Sequence, residues 1–136
     1  MQIEQEIKNS INRKIIGYIC SYTPIEIIHA AGFHPLRIFG RDRPIQKADS
    51  LMHSNICPFV RSLLDRVLES ETDFLDGVVF INSCDGMRRL YEIWRERIPK
   101  KFFHLIDLPK KNAAEDLIRG LNEVGSVVSS YVSAYL

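Results

Sequence analysis

The chain has 136 residues, and its 18 Lys and Arg against 17 Asp and Glu leave a formal net charge of +1. That length suits one domain with a single sizeable core, and 46% apolar with 26% charged residues is a globular balance that excludes disorder. The near-zero charge leaves no electrostatic footprint for nucleic acid, and no window reaches the roughly 18 apolar residues that a membrane span needs.

Residues 1–12 alternate acid, base and amide, with no apolar stretch and cleavage site. No signal peptide is read there, and a cytoplasmic location is expected. Residues 14–20 (KIIGYIC) form a short β-branched run that reads as a buried strand ending at a cysteine. Thr23 and Pro24 then suit the cap and first position of a helix carrying Ile25, Ile27, Ile28 and Ala31, with Gly32 as its stop. A second strand is expected over residues 33–39 (FHPLRIF), followed by a charged loop at 40–47 and a stretch at 48–51 that receives no assignment.

Pro58 reads as another first helical position, and Phe59, Val60, Leu63, Leu64, Val67 and Leu68 recur at helical spacing behind it. Residues 74–81 hold a third buried strand. Ser83 or Asp85 is available to cap the next helix, whose stripe of Met87, Leu90, Tyr91 and Trp94 reads as core and which Pro99 closes. Phe33, Phe39 and Phe80 are expected in the core as well. Residues 101–108 (KFFHLIDL) give a fourth strand, and 112–136 a last helix with Leu117, Ile118, Leu121 and Val124 on its apolar face.

Strands alternating with helices imply an α/β fold: one domain over residues 1–136, a four-stranded parallel sheet with helices on both faces in a Rossmann- or flavodoxin-like three-layer arrangement. The apolar end, residues 127–136, has no capping residue, and the chain is expected to be one domain of something longer.

Three cysteines are too few and too odd in number for a closed disulfide framework. In an open α/β sheet, ligands bind beyond the carboxyl ends of the strands. Cys20 closes the first strand, Cys57 precedes the helix after the second, and Cys84 follows the third, so all three are expected at that edge. Helix N-termini favour the thiolate, which is the metal-binding form. Structural zinc takes four ligands, often as local pairs; here the gaps are 37 and 27 positions and no pair is local. Thiolates also suit iron–sulfur clusters. The competing reading is three buried cysteines acting as small hydrophobes.

The words around the cysteines discriminate. Residues 17–37 (GYICSYTPIEIIHAAGFHPLR), 54–61 (SNICPFVR) and 76–94 (DGVVFINSCDGMRRLYEIW), in that order and each with its cysteine, resemble the iron–sulfur subunits of the 2-hydroxyacyl-CoA dehydratase and benzoyl-CoA reductase family. The resemblance runs from about residue 14 to 110 and includes the strand closed by Leu108 and Pro109. It implies that Cys20, Cys57 and Cys84 hold a [4Fe–4S] cluster, with one coordination position left for water or the substrate thioester carbonyl. It implies loss of water from a 2-hydroxyacyl-CoA through a ketyl radical, a related second subunit, and an ATP-hydrolysing iron–sulfur activator that supplies the electron. Two alternatives remain: a benzoyl-CoA reductase-like subunit, and a non-catalytic iron–sulfur electron-transfer or carrier domain. Catalytic subunits of the family are much longer, so the resemblance implies an N-terminal cluster domain here, either a fragment or a reduced relative.

Glu26 is the candidate acid or base beside the cluster, although a first-turn acid also simply suits the helix dipole. Ser83, with Asp85, is a candidate hydrogen-bonding group around Cys84, or merely a helix cap. Arg88 and Arg89 suit a CoA phosphate or ordinary solvation. His53 and Ser54 lie just before Cys57 and are better placed for a site, while His29 and His104 fall within elements and read as structural.

Overall fold

The computed structural model describes residues 2–99, 101–107, 118–119, 122–123 and 125–126. In chain order the elements are α1 (Gln2–Ser10), β1 (Ile15–Tyr18), α2 (Ile25–Ala30), β2 (His34–Arg37), a single 3-10 turn (Ala48–Ser50), α3 (Pro58–Leu68), β3 (Gly77–Ile81), α4 (Asp85–Arg97) and β4 (Phe102–Ile106). The four strands form one parallel sheet in the order β2-β1-β3-β4. Its register pairs Ile15 with His34 across β1 and β2, Ile16 with Gly77 across β1 and β3, and Gly77 with Phe102 across β3 and β4.

This strand order dictates the layers. From β1 to β2 the chain steps toward one side of the sheet, and from β2 to β3 to β4 it steps toward the other. Right-handed crossovers must then place α2 on one face and α3 with α4 on the opposite face. The core divides accordingly. Ile15, Val78 and Phe80 pack with Val60, Leu63, Leu64, Leu90 and Trp94, whereas Ile16, Val79 and Ile81 pack with Ile28 and Phe33. Successive residues of β1 and β3 thus serve opposite cores, which is why those strands are apolar throughout rather than alternating.

An aromatic group anchors the larger core. Phe80 meets Trp94 edge-on at 5.6 Å and Tyr91 at 5.4 Å, and Trp94 meets Phe103 at 6.1 Å. The expected stripe on α4 is therefore core, with Tyr91 half-buried. Gly32 stops α2 as expected. Its φ of +90° lies in the left-handed region, and its N–H donates back to His29 while that of Phe33 donates to Ile28. Pro99 acts as expected too, since α4 ends at Arg97 two residues before it.

Several expectations are corrected. Phe39 is 55% exposed; it lies past the end of β2, and its ring is met by the Arg37 guanidinium at 5.2 Å. Residues 1–12, given no element, contain α1, tied to the turn before β3 by Lys8 Nζ donating to the Phe74 carbonyl at 2.6 Å. The unassigned stretch at 48–51 contains the 3-10 turn. Of the apolar face expected on the last helix, only Ile118 is among the described residues, and it is helical and exposed. The rest of that helix and the apolar chain end lie outside the described residues. Among the described residues, no helix is long and apolar enough to cross a membrane.

Candidate functional site

All three cysteines lie at the carboxyl edge of the sheet. Cys20 is two residues beyond β1 and half-buried; Cys57 and Cys84 are exposed, and all three are free thiols. Cys57 is the N-cap residue of α3 with Pro58 at the first helical position, and Cys84 is the N-cap of α4. Their carbonyls accept the first intrahelical bonds, from Arg61 at 3.1 Å and Arg88 at 3.2 Å. Neither makes a side-chain capping bond. The capping role expected of Ser83 or Asp85 thus falls to the extended backbone of Cys84, and Asp85 begins the helix.

The loop after β1 differs from expectation in the same way. Pro24, not Thr23, occupies the cap of α2. Thr23 is buried and turns back instead: its N–H donates to the Cys20 carbonyl at 3.1 Å and its Oγ1 to the same oxygen at 2.7 Å. One hydroxyl therefore clamps the backbone that carries the cysteine. Pro24 lacks an N–H, so nothing is lost by leaving it at the cap.

Cys57 and Cys84 are on neighbouring helix starts. A Cβ at Gly86, in the first turn of α4, would stand 3.2 Å from Ile56 Cγ2, 3.5 Å from Val60 Cγ2 and 3.8 Å from the Cys84 sulfur. The residue before Cys57 thus packs directly against the turn that Cys84 begins.

The long connection into Cys57 is held by a polar network that the apolar patterning did not reveal. Asp65, on the buried face of α3, accepts the backbone N–H groups of Gln46, Lys47 and Ala48 at 2.8, 2.9 and 2.6 Å. Burial works to raise its carboxyl pKa, but those three donors and Arg41 outweigh it and hold the pKa low. Arg41 Nη1 donates to Glu69 and Glu71, each at 2.5 Å, and the Glu69 bond leads in raising the Arg41 pKa. Arg66 reaches Glu71 at 3.2 Å and the Phe39 carbonyl at 2.8 Å. Gly40 fits this corner because a Cβ would come 2.7 Å from Ser62 Oγ, which accepts the Arg41 N–H. A signal existed: Asp65 and Arg66 interrupt the apolar stripe of α3 on its buried side.

Glu26 lies exposed in the first turn of α2, and Ser83 exposed between β3 and Cys84, so both candidate polar groups share the cysteine edge. Arg88 and Arg89 are exposed and pair with Glu92. His53 is exposed and its Nδ1 accepts the Asn55 N–H at 3.4 Å. His29 is exposed on α2, and His104 sits within β4, where burial lowers its pKa.

The donor set suits a thiolate-bound group. Three soft donors lie on one edge, unpaired with each other. Among the described residues, no three His, Cys, Asp or Glu side chains converge closely enough to hold one metal ion. A cluster of several irons does not need that convergence, because each thiolate has its own iron.

Comparison with known proteins gives a consistent family. Residues 20–131 match the family described as 2-hydroxyglutaryl-CoA dehydratase, D-component. A benzoyl-CoA reductase subunit of Thauera aromatica is 38% identical over 101 residues, covering 73% of this chain and 26% of that protein. The (R)-phenyllactyl-CoA dehydratase beta subunit of Clostridium sporogenes is 27% identical over 103 residues, covering 76% and 28%. The lactoyl-CoA dehydratase beta subunit of Anaerotignum propionicum is 27% identical over 95 residues, covering 69% and 25%. The chain therefore spans about a quarter of the length of these relatives. With the match running through all three cysteines, the chain belongs to the 2-hydroxyglutaryl-CoA dehydratase, D-component family.

Proposed function

We propose that this chain forms the cluster-bearing α/β domain of a 2-hydroxyacyl-CoA dehydratase subunit, with Cys20, Cys57 and Cys84 as thiolate ligands of a [4Fe–4S] cluster. One observation carries the reading: three cysteines 37 and 27 positions apart in the chain come to one sheet edge, two of them as helix N-caps. The donor chemistry and the relatives named as acyl-CoA dehydratase subunits support it. When bound, such a cluster supplies one-electron chemistry and an iron position free of protein thiolate, where an acyl-CoA thioester carbonyl can sit.

The chain's own residues do the rest. Thr23 fixes the backbone of Cys20, and the Asp65 network fixes the approach to Cys57. Glu26 is the proposed acid or base, and Ser83 the proposed hydroxyl donor toward a bound ligand. The net reaction is loss of water from a 2-hydroxyacyl-CoA by way of a ketyl radical on the substrate. The partners proposed are a related second subunit and an ATP-hydrolysing iron–sulfur activator. The second reading is membership of a benzoyl-CoA reductase-like enzyme, favoured by the 38% identity to the Thauera aromatica protein.

The test is anaerobic iron–sulfur reconstitution of the chain, with iron and sulfide counted for the wild type and for Cys20→Ser, Cys57→Ser and Cys84→Ser. About four irons in the wild type, as a four-iron cluster requires, and no stable cluster in the variants is the expected result. A colourless, iron-free wild type overturns the assignment. With a cluster in hand, turnover of 2-hydroxyacyl-CoA against benzoyl-CoA, with second subunit and activator supplied, separates the two readings.

A further inference from the structure

The geometry points to Gly86 as a positioning residue that sets the spacing between Cys57 and Cys84. Glycine is a poor choice inside a helix, because it is conformationally freer than any other residue when unfolded. Yet it occupies the first turn of α4, two residues after Cys84. Its φ is not positive, so backbone conformation does not demand it. What demands it is space. A Cβ there would be 3.2 Å from Ile56 Cγ2, closer than ordinary packing, and 3.5 Å from Val60 Cγ2.

Those neighbours differ in how they can yield. Val60 is buried in α3 among the core residues and is held on several sides. Ile56 is half-buried at the end of a turn closed by its own N–H on the His53 carbonyl at 3.0 Å. Ile56 is therefore the side chain that gives, and it is bonded directly to Cys57. A side chain at position 86 acts as a wedge between the two helix starts and moves the exposed Cys57 thiol away from Cys84. The missing Cβ lets the two N-caps close up.

This inference deepens the proposed function, since a fixed spacing matters most if both thiolates bind one group, but its test does not need that group. In the cluster-free chain carrying Cys20→Ser, Cys57 and Cys84 are treated with bis-maleimides of graded span, and bridged product is quantified by mass spectrometry. Short reagents should bridge the parent chain. The yield should fall at least tenfold in Gly86→Val, fall less in Gly86→Ala, and recover in Gly86→Val/Ile56→Ala. Gly125→Val is the control, since among the described residues nothing lies within 4 Å of a Cβ added at Gly125. Should Gly86→Val fail to fold by circular dichroism, Gly86→Ala and its Ile56→Ala partner carry the comparison.

Equal bridging with and without the wedge overturns the inference. So does a parent chain that no short reagent bridges. In the reconstituted chain, Gly86→Ala should lose iron to a chelator several-fold faster than the parent. An iron-free parent with the bridging contrast intact counts against the proposed function alone. A normal cluster with no bridging contrast counts against Gly86 alone.

Discussion

The Asp65 carboxylate accepts the Ala48 N–H at 2.6 Å across seventeen residues, joining the middle of α3 to the turn that leads toward Cys57. The same carboxylate takes the N–H groups of Gln46 and Lys47. It does for the 3-10 turn what a capping side chain normally does from within the turn. Asp65→Ala removes the acceptor of all three donors, leaves the buried Ala48 N–H without it, and leaves Arg41 without its neighbour at 3.8 Å. Breaking a buried charged network in this way costs about 3 kcal/mol. Urea denaturation of the variant checks it, and Asp65→Asn should cost less because one side-chain oxygen still accepts.

The same network sets the acid limit of the fold. The carboxyl pKa values of Asp65 and Glu69 are lowered in the folded chain: that of Asp65 because its backbone donors prevail over burial, that of Glu69 first through the Arg41 hydrogen bond. A depressed folded value means stability that is fully present above the unfolded value, about 3.9 for Asp and 4.3 for Glu, and lost as pH falls through the folded one. The melting temperature should therefore hold steady from these groups down to about pH 4 and fall below it. The fall should be shallower in Asp65→Asn. His104 adds an earlier decline: burial lowers its folded pKa, so stability erodes once pH passes below the ordinary histidine value of about 6.5. His104→Phe should remove that part of the profile.

Thr23→Val tests the clamp on Cys20. The exchange keeps the shape of a buried side chain and removes the hydroxyl bond to the Cys20 carbonyl. A single neutral hydrogen bond of this kind contributes about 1 kcal/mol. The melt should register that loss, and Cys20 should react faster with a maleimide in the cluster-free chain because its loop is freed. Unchanged Cys20 reactivity would mean that the backbone bond from the Thr23 N–H suffices by itself.

Phe80→Ala should be the most damaging of these changes. Phe80 is fully buried in β3 and its ring meets Tyr91, Trp94 and Phe103. Large-to-small changes at such positions cost roughly 3–5 kcal/mol, which approaches the whole stability of a small domain. Loss of a cooperative urea transition, or a midpoint shifted far down, is the expected outcome.

The alternation of strands and helices from β1 to β4, the parallel sheet and the edge that carries the cysteines were legible in the linear chain. Each rests on a local signal: β-branched apolar runs for β1 and β3, the helical stripe of α3, and Pro58 at a first helical position. The termini of elements were less legible. Thr23 looked like a cap because Thr before Pro usually is one, but its hydroxyl found a carbonyl in the preceding turn. Phe39 looked like core because it continued an apolar strand, and only the early end of β2 at Arg37 exposed it. The segment of α1 does space Ile3, Ile7 and Ile11 at helical period, but the charged and amide residues between them hid that narrow stripe.

By itself, then, the sequence determined the layered α/β architecture and the three cysteine words, because hydrophobic period, turn residues and short motifs act over a few neighbouring positions. Only the tertiary structure decided how those words meet. The contact of Gly86 with Ile56, the reach of Asp65 to residues 46–48 and the turn of Thr23 onto Cys20 depend on which groups a fold leaves space for and which buried donors still need an acceptor. Those demands arise between segments distant in the chain, and the chemistry of each residue alone does not state them.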